Sequence, residues 1–377
     1  MKKELRSGHS TPLRTGYTTG ACAAAAARGA TLMLARQEPV SEVTIELPGG
    51  DSASFPLHGQ HFTENSAACF VIKDAGDDPD VTNGAEVHAS VSRSSHPHPN
   101  PPLEGEGDVL IVGGTGIGRV TKPGLAVPPG EWAINPVPRR MIQQSVRSVL
   151  SAFNLQHSTF SIIISIPDGE QRARKTLNAR LGIIGGLSIL GTTGIVRPIS
   201  AKAWTDTIDA ALDVARACGC ENVVLSTGRT SELAAQQHFP SLPEEACIMM
   251  GDHVAYALRA CAQRGFIQPV IACQFAKLLK IACGHPNTHA AASELDLATL
   301  RRWADQAGIS PQIISIITHA NTAREIAITS GFDPGLMELV ACHALHAAAQ
   351  HAPGLSVLPL LCGYDGTVIF QHSKNRN

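Results

Sequence analysis

Charge and aromatic rings are both scarce in this sequence. Charged side chains make up 16% and aromatic ones 4% of 377 residues, while 44% are hydrophobic. That balance supplies a large core and excludes a disordered chain. The 30 lysines and arginines nearly cancel the 32 aspartates and glutamates, for a net charge of −2. Such a surface has no field with which to hold a nucleic acid or an anionic membrane, so neither is expected as a partner. Long apolar runs are lacking too. Residues 161–166 form one of the most apolar windows, far too short to cross a bilayer. Lys2, Lys3 and Arg6 are not followed by an apolar stretch, so no signal peptide is expected and a cytoplasmic protein is. No Cys-x-x-Cys pair occurs among the ten cysteines, and Cys218 and Cys220 stand too close for one zinc. Reduced, buried thiols and no protein-bound metal are the expectation.

Turns and small residues are plentiful, and they organise the chain. Tyr17-Thr18-Thr19-Gly20 leads into ACAAAAARGATLMLA; alanine favours helix and threonine caps it, which predicts a helix over 20–36. Alternating β-rich segments at 43–47, 52–57, 67–73 and 85–92 predict an antiparallel sheet with one covered face. Residues 93–107, with five prolines, read as an inserted loop. A strand follows at 108–112, a helix at 136–150, a buried strand at 161–166, a short helix at 170–177 and a glycine-broken strand at 183–190. Beyond Arg197-Pro198 strands and helices alternate. Helices are predicted at 204–217, 231–238, 254–263, 275–283, 296–307 and 334–350, strands at 222–226, 246–250 and 269–272, and a last hairpin at Asp365-Gly366. The fold class is therefore an α+β domain over 1–199 followed by an α/β domain over 200–377, with a parallel, Rossmann-like sheet.

Five motifs could carry chemistry. Gly113-Gly-Thr-Gly-Ile-Gly118 looks like a dinucleotide fingerprint, but the following RVTKPGLAVPPG cannot form the helix that fingerprint needs. Those glycines form either a plain turn or, with Arg119 and Lys122, a clamp for carboxylates. The helix start at Thr18, Thr19 and Gly20 is either an anion cradle or ordinary capping. Asp74, Asp77, Asp78 and Asp80 lie within seven residues, as an Asx-rich turn, a hard-cation site, a substrate-orienting group or a general base. Thr227-Gly228 sits between strand and helix, and Asp252 follows 24 positions later, about where a ribose-binding fold places its acid. Arg119, Lys122, Arg139, Arg140, Arg174, Lys175, Arg180 and Arg197 punctuate turns of the first domain, where guanidinium forks suit carboxylates.

At these residues the sequence resembles the CbiD family of cobalt-precorrin-5B C1-methyltransferases. The resemblance runs through LRTGYTTGACAAAA (13–26), KDAGDDPDVTNG (73–84), GTGIGRVTKPGL (114–125), AINPVPRRMI (133–142) and NARLGIIGGLSILGTTGIVRP (178–198). It continues through STGRTSE (226–232), Asp252, Lys277, Lys280 and Thr288-His289. Ala272–Ala276 stands where the family often has a glycine-rich loop, and Ala290–Asp296 is less polar than usual there.

The resemblance implies methyl transfer from S-adenosyl-L-methionine to C1 of cobalt-precorrin-5B in the anaerobic branch of cobalamin synthesis, with cobalt present only inside the substrate. It assigns the carboxylate-rich ring to the first domain, through Arg14, Thr18, Thr19, Gly20, Arg119, Lys122, Arg139, Arg180 and Arg197. The donor falls to the second, through Thr227, Gly228, Glu232 and Asp252. Asp74, Asp77 and Asp78 are the candidates for a base. Two rival functions remain at this point: an NAD(P)H-dependent reductase of the same kind of ring, and a non-catalytic carrier of corrinoid intermediates. The sequence allows a homo-oligomer without specifying one.

Overall fold

The computed structural model describes residues 13–94, 109–155, 158–198 and 200–372. Most of the proline-rich insert lies outside them; its first two residues, Arg93 and Ser94, finish a strand. Chain contacts divide the molecule into two units, 1–200 and 201–377, each with its own core.

The first unit runs β1 (Gly16–Tyr17), α1 (Thr19–Arg36), β2 (Glu42–Glu46), β3 (Ser52–Pro56), β4 (His58–Phe62), β5 (Ser66–Ile72), β6 (Glu86–Ser94), β7 (Val109–Gly113), β8 (Arg119–Val120), α2 (Pro136–Ala152), β9 (Thr159–Ser165), α3 (Gly169–Ala173), β10 (Ile183–Ile184) and β11 (Ile195–Val196). Its main sheet has the order β4-β5-β6-β9-β7, antiparallel except for the parallel pair β7 and β9. α1 is buried on nearly every side, from Thr19 through Ala27. It packs between α2 and strands β5 and β6, and alanine is what lets three neighbours approach one helix so closely. Gly20 and Gly29 extend that logic: a Cβ would come 2.7 Å from Pro138 and 2.3 Å from Leu57. The sheet's other face is more open, with a hollow of about 300 Å³ lined by Ala68, His88, Ser90, Thr115 and Ile163 among others.

The expected strand over 183–190 is a correction. Only Ile183–Ile184 pair as a strand; Leu187 and Ile189 make single bridges to Ile117 and Ile134. Glycines at 182, 185, 186 and 191 break the ladder while the isoleucines still bury themselves. β4 is not legible in the sequence, because HGQHF lacks alternating hydrophobicity.

The second unit runs α4 (Ala201–Ala217), β12 (Val224–Ser226), α5 (Arg229–His238), β13 (Cys247–Met249), α6 (Val254–Gln263), β14 (Val270–Cys273), α7 (Phe275–Ala282), α8 (Leu297–Gln306), α9 (Pro311–His319), α10 (Ala323–Thr329), α11 (Pro334–His351), β15 (Leu358–Cys362) and β16 (Val368–Gln371). The sheet order is β13-β12-β14-β15-β16. The first four strands are parallel and β16 is antiparallel. β12, β14 and β15 are buried through both faces, so they read as short apolar runs rather than alternating ones. Ala234 and Ala235 of α5 cover one face, while residues of α4, α6, α7 and α11 cover the other. The path steps from β12 outward to β13 and then returns past β12 to β14. That reversal falls between β12 and β14, and at the carboxyl ends of such a pair open α/β sheets form their ligand-binding crevice. Among the described residues no helix is long and apolar enough to cross a membrane.

Candidate active site

The crevice is built from three strand ends. After β12, the Thr227 amide donates to Ala272 O at 3.1 Å, which ties the turn to β14. Gly228 then caps α5 with no side chain over the helix start. Its backbone is extended, so conformation does not require glycine there. A Cβ would meet nothing within 4 Å, so the turn is open to a ligand. Ser231 Oγ donates back to Gly228 O at 2.9 Å and steadies it. The Glu232 side chain is wholly buried, with Oε2 2.5 Å from Arg229, and it steadies the turn.

After β13, Gly251 turns the chain with φ +57, and Asp252 follows. The Asp252 carboxylate takes the Lys277 ammonium and the Thr288 hydroxyl, the latter at 2.7 Å, both on Oδ1. Lys277 also donates to Thr288 O at 3.1 Å. Lys280, one turn on, donates to Thr288 O at 3.2 Å and Ser293 O at 2.9 Å. Burial pushes the Asp252 carboxyl up, but Lys277 and Thr288 outweigh it and hold it below the usual range. Burial, with Lys277 alongside, lowers Lys280. The structure thus gathers Thr227, Gly228 and Asp252 on one sheet edge, and adds Lys277, Lys280 and Thr288 as a network.

In the first unit the aspartate-rich turn meets the segment that leads into α1. Arg14 grips Asp74 with both guanidinium nitrogens, and its amide donates to Asp77 Oδ2 at 2.6 Å. The Asp77 amide returns a bond to Arg14 O at 2.9 Å. Gly76, at φ +68, would place a Cβ 2.2 Å from Arg14 O, so only glycine permits this approach. Arg14 is therefore engaged within the protein. Asp74 is held below the usual carboxylate range by the Arg14 hydrogen bond and the Gly76 amide, which makes it a weak proton acceptor. Asp78 is half-buried in the same loop. Arg172 braces that loop from outside, donating to Val81 O at 2.6 Å and Asn83 O at 3.0 Å.

Thr18, Thr19 and Gly20 are likewise buried. Thr18 Oγ1 accepts from Ala21, Thr19 Oγ1 accepts from Leu190 N at 3.0 Å, and Gly20 N donates to Leu190 O at 3.1 Å. The helix start clamps the 188–194 loop.

The remaining cations lie nearer the surface. Arg119 is exposed over the Trp132 ring at 4.1 Å and donates to Gly130 O at 2.5 Å. Lys122 donates to Arg180 O at 3.3 Å, which brings those two cationic residues together. Arg139 donates to Ile111 O at 3.3 Å, and Arg197 is exposed just after β11. The glycine motif at 113–118 has no helix behind it; β8 follows instead.

The sequence reading missed Lys73. Its side chain is 1% exposed and its ammonium lies 2.6 Å from Asp80. The signal was present: β5 buries Ala67, Cys69 and Val71, and the same period of two carries Lys73 inward. Burial pushes the Cys22, Cys69, Cys261 and Cys362 thiols up to about 12, so they are not nucleophiles. Glu338, Cys342 and His372 bring their ligand atoms within 4.8 Å of one another; the His372–Glu338 contact, 2.9 Å, is an ion pair when the imidazole is protonated.

A protein from Pelobacter propionicus bearing the name cobalt-precorrin-5B C(1)-methyltransferase is 59% identical over the whole length of both chains. The CbiD family model matches residues 6–198, and the model of the CbiD C-terminal domain matches 287–373. The chain belongs to the CbiD family. Proteins with the same name from Geobacter sulfurreducens and Priestia megaterium are 59% and 45% identical, over 95% and 97% of this chain and 98% and 97% of theirs. A solved structure, described as a cobalamin biosynthesis protein (cbiD) from Archaeoglobus fulgidus, is similar at 29% identity with a TM-score of 0.38, over 71% of this chain and 78% of that one. The CbiD model covers every motif of the first unit. The stretch 199–286, with Thr227, Gly228, Asp252 and Lys277, lies between the two family models and is matched by the relatives along the whole chain.

Proposed function

We infer that this chain transfers a methyl group from S-adenosyl-L-methionine to C1 of cobalt-precorrin-5B, giving cobalt-precorrin-6A. What carries the reading is end-to-end identity of 59% with a relative of that name. The relatives above share that name, and none of their names points to a reductase or a carrier.

The residues of the second unit fit an adenosyl donor. The Gly228 turn is open, its helix start is uncapped by a side chain, and Asp252 stands at the end of the neighbouring strand. We read this as a Rossmann-like site, with Asp252 Oδ2 accepting from a ribose hydroxyl while Oδ1 stays with Lys277 and Thr288. The sulfonium, when bound, supplies a methyl carbon already activated toward displacement. The protein's task is then to align that carbon with the ring carbon, a positioning effect that reaches ~7–11 kcal/mol in favourable cases. Arg119, Lys122, Arg139, Arg180 and Arg197 are the ring's proposed carboxylate partners. Asp77 and Asp78 are the better-placed candidates should a ring proton need an acceptor, since Asp74 is committed to Arg14.

Single-turnover methylation tests this directly. Purified chain, methyl-labelled donor and cobalt-precorrin-5B should give labelled product at C1 and S-adenosylhomocysteine in equal amounts. Ring binding without transfer, or tight binding of NADPH and none of S-adenosylhomocysteine, would overturn it.

A further inference from the structure

We propose that Trp204 and His253 form a slot that takes the adenine ring of the methyl donor, at the β13 end of the sheet. The proposal rests on the donor reading above and extends it to residues that neither the motifs nor the relatives' names single out.

Trp204 sits on the first turn of α4, whose inner face, Ile208, Leu212 and Ala215, belongs to the core. Yet its own side chain is 46% exposed. It is not loose: Nε1 donates to Met250 O at 3.1 Å, which fixes the indole at the carboxyl end of β13. Gly251 lies against the ring, where a Cβ would come 2.8 Å from Cζ2. His253, two residues on, stands nearly parallel to the indole, with planes 27° apart and centroids separated by 6.4 Å.

That separation is informative because the same unit holds a second Trp–His pair. Trp303 and His343 stack in direct contact, with centroids 3.8 Å apart and planes 8° apart. Trp204 and His253 are near parallel without such face-to-face contact. The indole face, part exposed and fixed by its bond to Met250, is thus not used up by a neighbouring ring and can stack on a planar heterocycle.

The neighbourhood selects among planar ligands. Asp252 lies between Gly251 and His253 in sequence, and its carboxylate is anchored through Oδ1 at the crevice. A purine in the slot carries its ribose next to that carboxylate. A corrin-like macrocycle is far wider than one base and has no sugar to offer Asp252. The chemical class that matches is a purine nucleoside, which the donor contains.

The test uses the full chain with S-adenosylhomocysteine, and with S-ribosylhomocysteine, which lacks the base. On the proposal, S-adenosylhomocysteine quenches the fluorescence of the wild type. Trp204→Phe keeps the affinity within about threefold, because a ring remains, but loses the quenching, since the indole in contact with the base is gone. Trp204→Leu weakens S-adenosylhomocysteine by roughly tenfold, as expected for one lost base stack, and leaves S-ribosylhomocysteine unchanged. Circular dichroism and the thermal midpoint check each variant's fold. Should Trp204→Leu not fold, His253→Leu probes the opposite wall, with the same selective loss expected. Wild-type affinity for S-adenosylhomocysteine in folded Trp204→Leu or His253→Leu overturns the slot and leaves the donor reading standing. Failure of the wild type to bind S-adenosylhomocysteine, with NADPH quenching instead, overturns both.

Discussion

Lys277 and Asp252 meet across the end of a strand that belongs to neither of them. Asp252 follows β13, Lys277 opens the helix after β14, and β12 lies between the two. The pair draws together the strand ends on either side of the crevice, and Thr288 completes it from a loop that follows α7. Asp252→Asn should cost about 1–2 kcal/mol at neutral pH, the scale of a half-buried, charge-assisted contact. The folded carboxyl is held below its unfolded value. Its stabilisation is therefore full above the unfolded value near pH 4 and lost as pH falls through the folded one. Urea midpoints of wild type and variant should differ at pH 7 and converge below pH 4. A constant gap down to pH 3 would show that the charge is not what matters.

Arg14 and Asp74 should act as one unit. Asp74→Asn and Arg14→Ala each remove the same fork, so the double variant should lose no more kcat/KM than the worse single one. Arg14→Lys should rescue poorly, because an ammonium cannot reproduce the two-pronged contact. Additive losses would mean the two side chains serve the reaction separately.

Lys73 and Asp80 test the core of the first unit. Lys73→Met leaves Asp80 partly buried without its cation, and should cost roughly 3 kcal/mol in urea unfolding. Burial pushes the Asp80 carboxyl up, but Lys73 and Thr82 together hold it low. The wild type should therefore show an acid-dependent loss below pH 4 that Lys73→Met lacks. An unchanged unfolding midpoint at pH 7 would contradict the pairing.

The proposed division of labour predicts a split. Arg197→Ala should raise the KM for the ring several-fold and leave the dissociation constant of S-adenosylhomocysteine unchanged, while Asp252→Asn should do the reverse. Isothermal titration with S-adenosylhomocysteine and steady-state kinetics in the ring substrate separate the two. Equal loss of both in either variant would break the assignment.

Gly251→Ala probes the turn beneath Trp204. An L side chain at φ +57 costs about 1–2 kcal/mol, and the added methyl would push on the indole. Thermal stability should fall modestly, and affinity for S-adenosylhomocysteine should fall with it. Retained affinity with lowered stability would mean the indole's position is irrelevant to the donor.

Local patterns carried much of this molecule. The threonine-capped alanine run specified α1 to within a residue, because helix propensity and capping act over a few positions. Buried strands β12 and β14 were legible as short apolar runs between turns, and the glycine after β12 marked the start of α5. Pairings made through space were not legible. Nothing in LRTGYTT says that Arg14 will be spent on Asp74, 60 residues away. Nothing in STGRTSE says that Glu232 will turn inward. Sequence determined which segments become helix or strand and which positions carry charge, since those depend on near neighbours. Only the tertiary structure decided which charges stay available to a ligand. An ion's fate is set by burial and by partners brought from distant segments, and both arise when the chain closes on itself.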